Sequence, residues 1–372
     1  MKIRKSARAY ERWLSKQLDG DVVEADLRKK HARMAEGPFP FLRATYWRWA
    51  ETILDICPDL ADAPSVLAIG DIHIENFGSW HDAEGRIVWG VNDFDEAAEM
   101  PYVLDLVRLA VSAVLAKVRG MGEHAVCRHV LAGYRKGLAH PAPFVLDRHH
   151  EWLRAKVVVP EADRAKFWAK LDPKTKGGTT RRIEGPYRKA LNEALPRTAT
   201  HITFYPRTAG VGSLGRPRWV AYATWHDAPA VREAKAAVYS AWVRAHGGSR
   251  RLRCEEVAFG RHRSPNPHYS VRRGIVVRRL SPNDRKIELP SHMNPDAEKG
   301  FAQRPALVNA EMLAAMGADL AAIHLGAGNH HAAIASDLLK RPKGWLRRAV
   351  AAAAKHVRHE QAEWKKGAKT GK

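Results

Sequence analysis

Two acidic motifs in the first hundred residues contain side chains that can bind a magnesium ion and accept a proton. In the first motif, Asp71 stands five residues before Asn76, and in the second, Asp93 and Asp95 follow a short apolar run. Carboxylate and amide oxygens are hard ligands of the kind that Mg²⁺ prefers, and this ion takes its other ligands from water and substrate phosphates. The sequence therefore predicts Mg²⁺ held by Asn76 and Asp93, with Asp95 as a further ligand, and Asp71 as the acceptor of a hydroxyl proton.

The residues around these motifs predict how they come together. Apolar runs at 66–69 and 87–91 flank a polar turn at 81–85, which is the pattern of a loop, a turn and a returning strand. Such a fold brings Asn76 and Asp93 towards each other. The competing interpretation is that these residues only cap helices and close turns, as most Asp and Asn residues in loops do. The presence of both motifs in this order favours a phosphoryl-transfer site.

A glycine-rich segment much later in the chain is suited to cover phosphate groups. It lies between two predicted strands, 202–205 and 219–223. A dinucleotide-binding glycine motif would precede a helix, whereas a loop between two strands is typical of a cover over nucleotide phosphates. An ordinary glycine hairpin is the alternative. The residues predicted to bind the nucleotide here are Gly210, Gly212, Ser213 and Gly215.

Basic residues beyond this loop predict a partner for phosphate charge. Arg232 and Lys235 follow the second strand, and Glu255 lies on a predicted helix about twenty residues further on. A strand cation that pairs with a helix carboxylate is the arrangement expected beside a bound nucleotide. Arginine binds phosphate bidentately and is not equivalent to lysine, so the sequence leaves open which of the two contacts phosphate. The alternative is a charge pair on a helix surface.

The composition is that of a folded and strongly basic protein. With 372 residues and 45% apolar residues the chain can bury substantial cores, and 62 Lys and Arg against 40 Asp and Glu give a formal charge of +22. This imbalance favours an anionic partner such as nucleic acid, nucleotide, polyphosphate or an anionic membrane surface, although genomic base composition produces the same bias. The cysteines Cys57, Cys127 and Cys254 are far apart and predict buried thiols rather than zinc or disulfides. No transmembrane or signal segment is predicted, so we expect a cytoplasmic protein.

The chain divides into three parts by its residue pattern. The segment 172–185, rich in Lys, Thr, Arg and Gly, is predicted as an exposed linker, and His324 is predicted to cap a helix or lie in a core. Helical patterns occur at 6–35, 311–325 and 345–364. The three parts are a mainly helical lobe with both acidic motifs at 1–185, a β-rich lobe that covers the nucleotide at 198–290, and helices that return to the first lobe at 300–372.

The motifs together resemble a family of bacterial proteins known as domain of unknown function 2252. The resemblance is carried by residues 39–43, 70–78, 92–96, 210–215 and 232–234. That family is similar in turn to the protein-kinase-like superfamily, particularly aminoglycoside phosphotransferases, whose catalytic segment reads Gly-Asp, then Asn, then Asp-Phe or Asp-Trp, then Asp-Leu. Here Asp105 and Leu106 fill the last place. The resemblance implies an α+β, two-lobed kinase-like fold with ATP and Mg²⁺ as cofactors.

The order of the motifs differs from that of a kinase. In a kinase the glycine loop precedes the catalytic loop, whereas here Gly210 follows Asp71 by about 140 residues. The predicted helix at 311–325 resembles the phosphotransferase helix that leads into the catalytic loop. We therefore hypothesise a circularly permuted kinase-like fold, which is physically tolerable when the original termini lie close together at the surface.

These features predict a phosphotransferase that moves a phosphoryl group from ATP to an unknown hydroxyl acceptor, either a small molecule or a protein. Asp71→Ala and Asp93→Ala are predicted to abolish activity and leave folding largely intact. One alternative is a catalytically inactive kinase-like or nucleic-acid-binding protein whose basic surface is the functional part. A further alternative is a metal-dependent phosphoesterase that uses Asp71, His73, Asp93 and the Asn-His pair at 329–330, although the wide separation of that pair counts against it.

Overall fold

The chain combines helices with small antiparallel sheets, which is the α+β class expected from the sequence. The computed structural model describes residues 1–118, 120–175, 182–287 and 308–369. Within these residues the helices are α1 (Ile3–Gln17), α2 (Glu24–Glu36), α3 (Pro38–Ala44), α4 (Tyr46–Ile56), α5 (Val103–Leu115), α6 (Glu123–Ala139), α7 (Glu151–Val157), α8 (Glu161–Leu171), α9 (Gly185–Ala194), α10 (Ala241–His246), α11 (Cys254–Ala258), α12 (Ala310–His324), α13 (His331–Lys340) and α14 (Trp345–Lys369). The strands are β1 (Ser65–Ala68), β2 (Phe77–His81), β3 (Ile87–Val91), β4 (Ala98–Pro101), β5 (Phe144–Val145), β6 (Thr200–Pro206), β7 (Arg218–Trp225), β8 (Ala228–Ala236), β9 (Ser270–Arg272) and β10 (Ile275–Arg279).

Two small sheets hold the acidic motifs. β1 pairs with β4, and β3 pairs with β2 on one side and β5 on the other. The β2–β3 hairpin begins at the pair Phe77 and Val91, and the backbone N–H of Asn92 donates to Asn76 O at 3.1 Å. The predicted loop, turn and returning strand is therefore confirmed. It places the two motifs side by side.

A five-stranded sheet carries the glycine-rich segment. Its strand order is β6-β7-β8-β10-β9, and each neighbouring pair is antiparallel. The strands predicted at 202–205 and 219–223 are confirmed as parts of β6 and β7, and the glycine-rich segment joins them. The context of two strands that distinguished this loop from a dinucleotide-binding motif is thus present in the structure.

Alternation along β8 gives this sheet two different faces. On one face, Ala234 packs with Leu191 of α9 and Trp219 of β7 in a small apolar core. Glu233 and Lys235 lie on the opposite face, where each forms ion pairs. One face is consequently covered by a helix, and the other presents charge towards the acidic motifs.

The main core lies where α5, α6, α12 and β1 pack together. The helix predicted at 311–325 is present as α12, but the prediction that it is amphipathic is wrong, because its neighbours enclose it and bury residues on every side, such as Leu313, Ala315 and Ala321. His324 at its end is fully buried and lies 2.8 Å from Tyr134 Oη. It is a core histidine, one of the two roles expected from the sequence.

Two other predicted helices have different bounds in the structure. The pattern at 6–35 forms two helices, because Asp19 and Gly20 adopt positive φ angles of 47° and 85° and interrupt it. The C-terminal helix extends to Lys369 rather than ending near residue 364. Of the predicted linker at 172–185, residues 176–181 lie outside the described residues. So do residues 288–290 of the predicted second part and residues 300–307 and 370–372 of the third.

Two predictions from composition can be compared with the structure. Cys57, Cys127 and Cys254 are buried free thiols, as expected. Across the described ranges, none of the helices combines the length and the apolar character that a membrane crossing requires.

Candidate active site

A buried carboxylate from α5 holds the loop that carries Asp71. Asp105 is fully buried and accepts hydrogen bonds from the backbone N–H groups of Ile69 (2.8 Å) and Gly70 (2.9 Å) at the end of β1. His324 of α12 lies 3.1 Å from the same carboxylate. A carboxylate that accepts backbone N–H groups restrains the path of the chain. Asp105 therefore fixes the backbone immediately before Asp71.

Asp71 itself pairs with a buried arginine that the sequence did not predict. Arg108 of α5 is fully buried, and its guanidinium contacts Asp71 Oδ1 and donates to Leu42 O at 2.9 Å. Burial raises the pKa of Asp71 to about 6, although Arg108 opposes the rise. The carboxyl group consequently titrates close to neutral pH, where a general base is most effective. The pairing also changes the expectation for Asp71→Ala, which would leave the buried Arg108 charge without its partner.

Asn76 connects the two acidic motifs and offers one oxygen for a cation. Its Nδ2 donates to Asp71 O (3.3 Å) and to Asp93 O (3.1 Å). Its Oδ1 is buried and has no hydrogen-bond partner among the described residues. Buried polar atoms are normally paired, so an orphaned amide oxygen in a cavity wall indicates a ligand position.

Lys235 of β8 joins the sheet to the second acidic motif. Its Nζ lies 3.2 Å from Asp93 Oδ1 and 2.5 Å from Asp95 Oδ2, and Arg216 approaches Asp95 at 3.5 Å. The Asp93 side chain remains 37% exposed, against 10% for Asp95. Burial alone would raise the pKa of Asp93, but the nearby cations Lys235 and Lys286 lower it below its usual range. Asp93 is thus ionised and open to the cavity, whereas the Asp95 carboxylate is already paired with two cations.

The donor set fits a magnesium ion that is completed by substrate. In the part of the chain that the structure describes, no group of three or more His, Cys, Asp or Glu side chains could hold a metal by itself. Asn76 Oδ1 and the Asp93 carboxylate supply two hard oxygen ligands. Mg²⁺ commonly takes one or two protein carboxylates and completes its shell with water and phosphate oxygens. The expected ligand Asp95 contributes less, because its carboxylate is already paired.

The glycine loop lies directly over Asp71. A Cβ atom at Gly212 would lie 2.9 Å from Asp71 Oδ2, so a larger residue there would require the loop or the Asp71 carboxylate to shift. Gly210 and Ser213 line the same cavity, and Ser213 Oγ accepts a hydrogen bond from Arg218 at 2.7 Å. The structure thus brings residues 210–213 together with Asp71. Gly215 lies outside this cavity, packed against Leu27 of α2.

The structure places two other predicted residues away from this cavity. Arg232 lies on the face of β8 that α9 covers, where its Nε donates to Ala194 O at 2.9 Å. Glu255 of α11 is exposed and accepts a hydrogen bond from the backbone N–H of Val271 at 2.6 Å. The expected pair of a strand lysine with Glu255 is not formed, because Lys235 binds the carboxylates of the second acidic motif instead. We therefore leave Arg232 and Glu255 out of the candidate site.

Two buried cations of the site were missed in the sequence, although a signal for each was present. Lys30 of α2 is 2% exposed and lines the cavity beside Asp71. It shares the buried face of α2 with Leu27 and Met34, at the spacing of an apolar helix stripe. Arg108 likewise interrupts the apolar helix α5. A charged residue at a position that should be apolar is seldom buried without a partner, and this pattern could have identified both.

Two cavities meet at Lys286, which lines both of them. The smaller has a volume of about 60 Å³ and lies between the glycine loop and the acidic motifs. The larger has a volume of about 360 Å³ and lies between α8, β10 and the second acidic motif. Its size and mixture of rings and cations suit an aromatic anion. The rings and cations that characterise its wall are Trp80, Phe94, Phe167, Tyr269, Arg207 and Arg278.

Comparison with known proteins supports the family resemblance over part of the chain. Residues 22–166 match a family described as "Uncharacterized protein conserved in bacteria (DUF2252)". The matched part begins just before α2, ends within α8 and includes both acidic motifs, Lys30 and Arg108. The glycine loop and the five-stranded sheet lie beyond it. No curated protein and no solved structure matches the chain.

Proposed function

We propose that this chain is a phosphotransferase that moves the terminal phosphoryl group of ATP to a hydroxyl group of an acceptor. The observation that carries the proposal is the close approach of Gly212 to Asp71, because it brings segments about 140 residues apart to one cavity. Phosphoryl transfer depends on positioning and charge stabilisation, and it needs a phosphate cover and a hydroxyl-orienting carboxylate in the same cleft. The glycine loop and Asp71, which could fill these two roles, line the same cavity.

The larger cavity is the proposed site of the base and sugar. Its aromatic residues can stack on a base, and its arginines favour an anionic ligand. Because Lys286 lines both cavities, a phosphate chain that runs from the larger to the smaller one would pass this lysine. The terminal phosphate would then lie under the glycine loop.

Asn76 and Asp93 are the proposed ligands of Mg²⁺. When bound, the ion would neutralise charge on the phosphates. Lys235 supports this role, since it helps to keep Asp93 ionised, and Asp95 holds Lys235 in place through a contact of 2.5 Å. Asp95 is accordingly a positioning residue in this proposal.

Asp71 is the proposed acceptor of the hydroxyl proton. With a pKa of about 6 its carboxyl group is mostly ionised at neutral pH and retains enough basicity to take a proton in the transition state. Its pairing with Arg108 orients the carboxylate towards the cavity that the glycine loop covers.

The proposal includes a two-lobed, circularly permuted kinase-like fold. It is supported by the placement of the predicted site residues on two different parts of the molecule. The five-stranded sheet carries the glycine loop and Lys235, and the helical part carries the acidic motifs. A second support is the packing of α12 against β1, with His324 hydrogen-bonded to Asp105. A chain in the usual kinase order would run from such a helix into the strand that precedes Asp71.

The test uses the purified full-length chain with ATP and Mg²⁺. We expect ATP to raise the melting temperature more with Mg²⁺ than without it, because a ligand that binds only the folded state stabilises that state. We also expect transfer of labelled terminal phosphate from ATP to members of a panel of hydroxyl compounds and test proteins. Asp93→Asn should lose the magnesium-dependent part of the thermal shift. No shift with ATP and Mg²⁺ for the unsubstituted protein would remove the proposal.

A specific observation on α14 favours nucleic-acid binding as a second candidate function. Arg347, Lys355, Arg358 and Lys366 are exposed and recur at the spacing of one helix face. This basic stripe extends over roughly 28 Å, long enough to follow several phosphates of a nucleic acid. Binding to nucleic acid that weakens steeply with salt, and that fails when Lys355 and Arg358 are changed to Glu, would support it. Binding that these changes leave intact would exclude this face.

The phosphoesterase alternative lacks comparable support. A two-metal centre requires clustered ligands, and the described residues contain no group of three or more His, Cys, Asp or Glu side chains with that arrangement. His330, one of its expected ligands, lies 3.0 Å from Ala327 O in its own turn. We do not propose this activity.

A further inference from the structure

Lys30 is a buried cation on the apolar face of α2. Its side chain is 2% exposed, and its ammonium group lies 5.4 Å from the ring centroid of Tyr10 and 5.0 Å from that of Trp47. The group lines the small cavity together with Asp71 and Gly212. A lysine that only supported the fold would be expected to extend its head to solvent, as lysines on helices generally do.

The charge of Lys30 is compensated by the two rings and by one hydrogen bond rather than by an ion pair. Its hydrogen bond to Gly212 O, at 2.8 Å, uses one of the three donors of the ammonium group. No carboxylate lies within ion-pair distance of it in the described ranges. Burial, followed by the nearby Arg216 charge, lowers its pKa to about 8, so the group is still mostly charged at neutral pH. A buried charge of this kind is stabilised when an anion enters beside it.

The cavity that Lys30 faces has the size of one phosphoryl group. Its volume of about 60 Å³ accommodates roughly four water-sized groups, which is too little for a nucleoside. Asp71 lines the same cavity and influences Lys30 electrostatically. A phosphoryl group in this cavity would lie beside both a proton acceptor and the glycine loop, which is where it would change bonds.

We propose that Lys30 binds the terminal phosphoryl group of the nucleotide. The cation is then supplied by helix α2 rather than by the five-stranded sheet. This inference rests on the proposed phosphotransferase function and adds a residue to it. In the transfer, the bond from the acceptor oxygen to the γ-phosphorus forms as the bond from that phosphorus to the β–γ bridging oxygen breaks. ADP leaves with that oxygen, and the hydroxyl proton passes to Asp71. Lys30 stabilises the negative charge of the three non-bridging oxygens throughout.

Contacts between α2 and the glycine loop fix Lys30 relative to this site. Thr208 Oγ1 donates to Asp26 Oδ1 at 2.8 Å, and the backbone N–H of Val23 donates to Gly215 O at 2.9 Å. These bonds lie on both sides of Gly212 along the loop. The two bonds therefore hold α2 and the glycine loop in a fixed relative position, so that Lys30 and the loop can contact the same phosphoryl group.

The test compares Lys30→Met with Lys16→Met, a matched removal of one lysine charge from an exposed position on α1. Methionine keeps the apolar stem of Lys30 and removes the ammonium group. Dissociation constants for ATP and for ADP are measured in the presence of Mg²⁺. We expect Lys30→Met to weaken ATP binding by about tenfold or more, as for loss of a charged hydrogen bond, and to leave ADP binding within about twofold. Lys16→Met should change neither constant.

A purely structural role makes different predictions. If Lys30 served only to hold the loop through Gly212, Lys30→Met would lower the melting temperature and weaken ATP and ADP alike, and this result would overturn the inference. We expect instead that Lys30→Met melts at or above the temperature of the unsubstituted protein, because it removes a buried charge. Equal ATP affinity in Lys30→Met and the unsubstituted protein would also overturn the inference.

Failure of the proposed function can be separated from failure of this inference. If the unsubstituted protein binds neither ATP nor ADP, inorganic phosphate is the probe. A thermal shift with inorganic phosphate in the unsubstituted protein and in Lys16→Met, but not in Lys30→Met, would sustain an anion site at Lys30 without phosphotransfer. No shift with inorganic phosphate in such a protein would overturn the site as well.

Discussion

The two cavities of the proposed cleft differ in what holds their walls. At the smaller cavity, charged side chains are bound to one another, such as Arg108 to Asp71 and Lys235 to Asp95. At the larger cavity, rings such as Trp80 lie among arginines and lysines, some of them paired, such as Arg278 with Glu233. Paired buried charges keep a defined geometry and are costly to break, whereas aromatic walls bind mainly through contact area. Substitutions at the smaller cavity should therefore change chemistry and stability together, and substitutions that only narrow the larger one should change affinity alone.

Asp71→Asn at the smaller cavity should have the largest effect. The amide cannot accept a proton, so we expect kcat to fall by about 10²–10⁴-fold with ATP affinity nearly unchanged. The fully buried Arg108 also loses its anionic partner, and we expect the free energy of unfolding to fall by about 3 kcal/mol. Steady-state kinetics and urea unfolding of the same preparation measure the two effects.

The double variant Asp71→Asn with Arg108→Met separates chemistry from stability. Removal of both charges should restore much of the lost stability, because neither charge remains buried alone. Activity should stay at the level of Asp71→Asn. A double variant that regains activity would show that Asp71 acts through the fold and not as the proton acceptor.

Lys30→Met should give a pH-dependent change in stability at the same cavity. The pKa of Lys30 is lowered from 10.5 to about 8 by burial and by Arg216, against the opposing influence of Asp71, Glu11 and Glu96. Below pH 8 the folded protein carries a buried charge, which corresponds to a cost on the order of 3 kcal/mol that the methionine variant does not have. As pH rises from 8 to 10.5 the unfolded chain holds more protons at this group, so the unsubstituted protein gains stability.

The measurement is the difference in free energy of unfolding between Lys30→Met and the unsubstituted protein, at pH 7 and at pH 10. We expect the variant to be the more stable at pH 7 and its advantage to shrink at pH 10. Other titrating groups are common to both proteins and largely cancel. An advantage that grows with pH would contradict the account of Lys30 as a buried, mostly charged group.

Lys235→Met and Arg232→Met compare the two faces of β8. Lys235 contacts Asp93 and Asp95, so its removal should weaken ATP binding with Mg²⁺ by about tenfold to a hundredfold. Arg232 donates to Ala194 O under α9, so its removal should lower stability and leave ATP affinity within about twofold. Calorimetric titration of each variant with ATP and Mg²⁺ measures the affinities, and urea unfolding measures the stabilities. Weaker ATP binding in Arg232→Met than in Lys235→Met would reverse the assignment of the faces.

Ser281→Phe should have the smallest effect, and it tests the larger cavity. Ser281 lines that cavity, and a ring there would occupy part of the space proposed for the base. We expect the KM for ATP to rise severalfold and kcat at saturating ATP to stay unchanged. Ser249→Phe at an exposed position is the matched control. A fall in kcat with unchanged KM would contradict the separation of the two cavities.

Local features of the site were predictable from the sequence. The β2–β3 hairpin was predicted because two apolar runs flank a polar turn, and a hairpin of this kind necessarily brings Asn76 near Asp93. The glycine loop was predicted to lie between strands because the runs on either side of Gly210 are rich in β-branched and aromatic residues. In each case the prediction concerns residues that are close together in the sequence.

Contacts between distant segments were not predictable in the same way. Glu255 was expected beside a strand lysine, but Lys235 binds Asp93 and Asp95, which lie about 140 residues earlier. Arg108 and Lys30 carried only an indirect signal, a charge on an apolar face, which indicates that a partner is needed without identifying it. Partner choice depends on how separate elements pack.

The strand β8 separates what the sequence determines from what tertiary packing determines. Arg232 and Lys235 are three residues apart, so on any regular strand they must lie on opposite faces, and only one of them can face the acidic motifs. That much is a property of the backbone. Which face turns inward was decided by packing, because α9 covers the side that carries Ala234 and leaves Lys235 to meet Asp93.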